Sequence, residues 1–131
     1  MEYKVIIDGV AELSAEILEV EFVSKIPDAS NARSTDLKVL VTIKGRISFM
    51  DGNVAMPNNM RDIAKWSLVK PSLLESYKEV TLEYMHAAVT RKYTLPQAFV
   101  ISYTESFGKT DGIFTLVLKQ KEDQVADVTI E

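Results

Sequence analysis

The sequence predicts a mainly β fold, an antiparallel barrel or a sandwich with one α-helix, occupying residues 1–131 as one domain. Three observations predict it. Apolar and polar residues alternate in run after run, the period of a half-buried strand. Turn-forming clusters such as Asp8-Gly9 and Asp51-Gly52-Asn53 separate the runs. Only one stretch carries both a helical period and a start signal, and it lies near Met60.

Residues 3–7 alternate and end at Asp8-Gly9, a strand running into a turn. Residues 10–19 admit a helix, because Ala, Leu and Glu are good helix formers. The β-branched and aromatic residues that follow favour strand from about Ile17 onward. There Leu18, Val20 and Phe22 share one face, with Glu19 and Glu21 on the other. Residues 26–35, IPDASNARST, are loop by composition. Next, Leu37, Val39, Val41, Ile43 and Ile47 fall on one face, opposite Lys38, Thr42, Lys44 and Arg46. Gly45 interrupts that strand and marks a bulge or a close backbone approach, as where a sheet curves.

With Asn59 as N-cap, Asp62 takes the third helical position, where its charge suits the helix dipole. Met60, Ile63, Ala64 and Leu68 recur at helical spacing, Trp66 reads as core, and Lys70 closes the helix before Pro71. Val80, Leu82, Tyr84, His86 and Ala88 then form another alternating face. Phe99, Ile101 and Tyr103 precede a polar loop, and Phe114, Leu116 and Leu118 follow it. Residues 98–103 and 113–120 therefore pair as a hairpin around a turn at 108–112. Ala126, Val128 and Ile130 give a last short strand, for about seven strands in all.

Composition narrows the function. The chain has 131 residues, 47% hydrophobic and 26% charged, enough for one real core and against wholesale disorder. Lys plus Arg is 15 and Asp plus Glu 19, a net charge of −4 that argues against nucleic acid as the main ligand. The absence of cysteine excludes a disulfide framework, a thiolate zinc site and a Cys nucleophile. No apolar run has the length of a membrane-spanning helix, so no membrane insertion is expected, and the opening residues lack the pattern of a signal peptide. The expected location on synthesis is cytoplasmic.

Catalytic motifs are missing. His86 is the only histidine, and its apolar neighbours Tyr84 and Ala88 suit a core or interface position. No G-x-S-x-G elbow, H-E-x-x-H pair, G-x-G-x-x-G turn or P-loop occurs. Asp8, Asp51, Asp111 and Asp123 sit in no calcium-loop spacing and read as turn formers. The expectation is a protein without enzymatic activity, metal or cofactor.

Four segments carry a resemblance: DLKVLVTIKGRI after a polar loop, MRDIAKWSLV as a lone helix with Trp66 near its end, YKEVTLEYMHAAV, and then YTLPQAFVISYTESFGKTDGIFTLVLKQKED. In this order they resemble the tube proteins of contractile injection systems, the haemolysin-coregulated protein of type VI secretion and its phage tail-tube relatives. The resemblance covers most of the chain and is strongest over residues 77–123. It implies a β-barrel with one helix, assembled as a homo-hexameric ring, with rings stacked into a hollow tube. The implied partners are further copies of the chain, then sheath, baseplate and effector proteins, with delivery outside the cell as part of the apparatus. Polar loop tips at residues 29–35 and 49–57 become candidate inter-subunit or inter-ring contacts, through Ser30, Asn31, Arg33, Asp51 and Asn53. The alternative is a small β-barrel module binding an apolar ligand or a peptide, marked by a lined cavity rather than a filled interior. An enzyme working through His86 comes third.

Overall fold

The computed structural model describes residues 2–26, 37–48, 55–70 and 72–131. In them the alternating runs become one antiparallel sheet with a single α-helix against it. The strands are β1 (Glu2–Ile7), β2 (Ala11–Leu13), β3 (Ile17–Lys25) and β4 (Lys38–Ser48). After helix α1 (Ala55–Ser67) come β5 (Lys78–His86), β6 (Val89–Phe107), β7 (Asp111–Gln120) and β8 (Thr129–Ile130). Their spatial order is β2-β1-β5-β6-β7-β4-β3, with β8 added to β6. The helical alternative for residues 10–19 is not realised, and β2 was not anticipated.

β2 and β3 stand at opposite ends of this order, yet only residues 14–16 separate them in the chain. The sheet is therefore rolled until its two ends meet at that corner. Among the described residues no ladder joins them, so the sheet of the expected single barrel is not closed and leaves a seam between β1 and β3. The corner is fixed from β4. A Cβ on Gly45 would stand 2.5 Å from the Glu16 carbonyl oxygen and 2.5 Å from Phe114 Cζ, and the Arg46 N–H donates to that same carbonyl at 2.8 Å. Gly45 is thus the close backbone approach that the sequence implied.

The corner also shifts the phase of β3. Ile17 pairs with Gly45 and Glu19 with Lys44, leaving Leu18 as an extra residue in a bulge. Ile17 is buried in its place and Leu18 is half exposed, which corrects the inward position expected for Leu18. Beyond the bulge the alternation returns, with Val20 and Phe22 turned inward opposite Ile43 and Val41.

β6 serves two neighbours in turn. Its first part pairs with β5, from Val89 opposite His86 to Ala98 opposite Lys78. Its second part pairs with β7, from Ala98 opposite Gln120 to Phe107 opposite Gly112. Pro96 lies where the β5 register shifts, at a position that needs no ladder N–H. The expected hairpin is present and extends further than residues 98–103 and 113–120 alone.

Helix α1 begins four residues before the expected N-cap Asn59, and it ends at Ser67 rather than Lys70. Pro57 lies in its first turn, where a missing N–H costs no intrahelical bond. Asn59 is therefore inside the helix, and its side-chain amide donates to the Glu12 carbonyl at 3.0 Å, tying α1 to β2. Met60, Ile63 and Trp66 are buried as expected, and Trp66 Nε1–H donates to the Ser76 carbonyl at 2.9 Å. Leu68 falls beyond the last helical turn and is 83% exposed, against its expected place on the apolar face.

The interior of the roll is filled with side chains. Val5, Ile7, Leu13, Val41, Ile43, Leu82, Phe114, Leu116 and Leu118 are all buried. Phe22 of β3 stacks on Tyr93 of β6, with ring centroids 4.5 Å apart and planes 17° from parallel. That contact crosses the core and draws the β3 end of the sheet onto β6.

Candidate functional site

The strand register divides β3, β4, β7 and the second part of β6 into an apolar and a polar face. One row across the sheet reads Val20, Ile43, Leu116 and Tyr103, and the next reads Phe22, Val41, Leu118 and Val100. These rows face the core. The intervening rows read Glu19, Lys44, Thr115 and Thr104, then Glu21, Thr42, Val117 and Ser102. The outer surface of this four-strand layer is therefore a field of Ser, Thr and charged residues, with Glu19 opposite Lys44. Arg46 adds an ion pair to Asp111 at 3.4 Å, both partners well exposed.

Both borders of that layer are open among the described residues. β3 has β4 on one side and no strand on the other. On β6 the ladder to β5 stops at Ala98, so residues 99–106 have β7 on one side only. An open edge presents a row of backbone donors and acceptors that another strand can pair with. Two such edges border one layer here, at opposite sides, on different surfaces of the molecule.

The seam forms a concavity. It is a groove of about 540 Å³ lined by Glu2, Tyr3, Lys4, Ser14, Ala15, Ile17, Leu18 and Met85. β2 covers β1 only over residues 5–7, and beyond that β3 has turned away to join β4. Lys4 is held by Glu12 at 3.4 Å. Glu16, at the corner, is buried and accepts a hydrogen bond from the Ser14 N–H at 3.2 Å, a turn-forming role.

Ser30, Asn31, Arg33, Asp51 and Asn53, the candidate contacts from sequence, lie outside the described residues. His86 ends β5 beside a turn in which Ala87 takes φ of 51°, and it is exposed, so it is not a core histidine. Among the described residues no three His, Cys, Asp or Glu side chains come together in a way that would hold a metal ion. Their helix is not long and apolar enough to cross a membrane. Among the described residues, Tyr103 has the one clearly displaced titration. Burial first, then its hydrogen bond to Glu105 Oε1 and that carboxylate's charge, push the phenol well above the usual tyrosine range.

Neither a protein-family model nor a curated protein matches the chain. Among solved structures, a chain in the cryo-EM structure of the anti-feeding prophage baseplate, six-fold symmetrised, is similar to it. The TM-score is 0.47 and the identity 11%, over 99% of this chain and 91% of that one. A likeness of that degree leaves function to be read from this chain's own edges and faces.

Sequence reasoning placed the assembly contacts on loop tips. It could not name which strands form the edges or where the seam lies, because an edge is a property of strand order. The signals present in the sequence were the length of the 89–107 run and the corner residues 14–16, both legible only once the pairing is known.

Proposed function

We propose that the protein is a structural subunit, without catalytic activity, of the inner tube of a contractile, phage-tail-like or type VI-like injection apparatus, assembling as stacked hexameric rings. The observation that carries this reading is the pair of open edges bordering one four-strand layer. Joining β3 of one copy to residues 99–106 of the next is a heterologous contact. Repeated with a rotation that divides a full turn, it closes a ring. Such a join would bury the backbone groups left open on both edges and continue the sheet from copy to copy.

The polar outer face of the layer fits the same reading. In a closed ring it becomes one continuous surface of Thr, Ser, Glu and Lys, suited to water or to a passing protein. The rolled sheet with its helix is then the barrel of the tube-protein plan, with the joined β3 edge forming one border of its seam. The partners are other copies of the chain, then sheath, baseplate and effector proteins. The location is cytoplasmic on synthesis, with delivery outside the cell within the apparatus. The filled interior speaks against the alternative of a barrel that encloses an apolar ligand.

Light scattering coupled to size exclusion, with negative-stain microscopy at high concentration, tests the reading. Rings, or rings and tubes, are expected. A protein that stays monomeric at every concentration would sink it.

A further inference from the structure

Along the open border of β6, the core-facing side chains are Tyr103, Glu105 and Phe107, opposite Leu116, Phe114 and Gly112 of β7. Leu116 and Phe114 are fully buried, and Phe107 lies across Gly112, where a Cβ would stand 2.8 Å from its Cδ1. Glu105 is thus a carboxylate set in an otherwise aromatic and aliphatic row. It is exposed, and the β5 ladder that could have covered it stops at Ala98. The Tyr103 hydroxyl donates to its Oε1 and lies 4.0 Å from Met60 Sδ on α1, which keeps the carboxylate on the core side. Among the described residues no cation pairs with it: Arg46 of β4 pairs with Asp111, and Arg61 of α1 with Asp62. Both open borders are also bulged, at Leu18 in β3 and at Ile101 in β6, where the β7 register shifts. Bulges and inward-pointing charges are devices by which edge strands resist pairing.

We propose that Glu105 is a restraint on assembly, its charge holding the β6 border open until copies are concentrated enough to outweigh it. The inference rests on the ring reading above and adds the residue that sets its threshold. Joining lays a second strand along the border and takes the carboxylate out of water, beside Phe107 and Phe114. Beyond its bulge, β3 carries Val20, Phe22 and Ser24 on its core-facing side, so it brings no cation to Glu105 in any register. A covered charge loses hydration that one tyrosine hydroxyl does not replace. Glu19 and Glu21 of β3 lie on the other face of the joined sheet and neither relieve nor cause this cost. The cost arises only on joining, because Glu105 is exposed in a single copy. It therefore raises the concentration at which rings begin and leaves the stability of the fold alone.

Glu105→Gln tests this, since it keeps the shape and the hydrogen-bond acceptor and removes only the charge. Light scattering over a dilution series reads the concentration at which rings begin. That concentration is expected to fall about tenfold or more in Glu105→Gln, with Tm nearly unchanged. Glu105→Lys, which covers a charge of the other sign, is expected to form rings no more readily than the unaltered protein. Glu83→Gln is the control, because Glu83 lies on the outward face of β5 opposite Lys4 and Lys92, away from both borders, and it should change nothing. Rings from the unaltered protein with an equal or higher onset in Glu105→Gln overturn this inference alone and leave the ring reading standing. A Glu105→Lys variant that assembles as readily as Glu105→Gln also overturns it, since the cost would then follow the sign of the charge. Rings from neither the unaltered protein nor Glu105→Gln at any concentration overturn the ring reading, and this inference with it.

Discussion

Replacing Gly45 by alanine tests the corner on which the architecture turns. The new methyl carbon would lie 2.5 Å from the Glu16 carbonyl oxygen and 2.5 Å from Phe114 Cζ, both far inside ordinary contact. Neither neighbour gives way easily. Phe114 is fully buried, and the Glu16 carbonyl already accepts the Arg46 N–H at 2.8 Å. Overpacking of this kind costs roughly 1–3 kcal/mol. Displacing the carbonyl adds about 1 kcal/mol for the hydrogen bond it would loosen. The expected loss is therefore about 3 kcal/mol, or roughly 10 °C in Tm for a domain of this size. Urea unfolding followed by circular dichroism measures it directly. A value within about 0.5 kcal/mol of the unaltered protein would refute the reasoning, since it would mean that β3 leaves β4 at no cost. Gly9→Ala is the control. With φ of 71° and nothing within 4 Å of its Cβ, that site should lose only about 1–2 kcal/mol, from backbone strain.

The remaining expectations concern the core, the titration and the edge. Truncating Phe22 and Tyr93 singly and together should give a coupling energy of about 0.5–1.5 kcal/mol in a double-mutant cycle, and additive effects would show that their stack does not help close the roll. Because the Tyr103 pKa is raised in the folded state, the stability that its neutral phenol contributes is complete below about pH 10 and is lost progressively above it. Tyr103→Phe should flatten the alkaline limb of stability measured by thermal melts from pH 8 to 11.5, and an unchanged limb would assign it to other groups. Lysines at Ser102 and Thr104, on the polar face of the open β6 border, should shift light-scattering mass towards monomer and leave Tm nearly unchanged. An unaltered oligomer distribution would place the ring contact elsewhere.

The sequence by itself determined the strand content, the helix location, the hairpin and most of the core. These follow from local physics. A side-chain period of two sorts Val39, Val41, Ile43, Phe114, Leu116 and Leu118 inward whatever their neighbours are. Its errors came where tertiary contacts override a local rule. One extra residue at Leu18 reversed the facing at the start of β3, and a proline tolerated in the first turn moved the helix start before Asn59. The candidate interfaces were decided by tertiary structure alone. Open borders at β3 and residues 99–106, the seam groove, and an exposed end at Leu68 and Leu74 depend on which strands adjoin and where the roll stops. Alternation specifies that a strand has a buried face. It carries no information about whether a second strand lies along its edge.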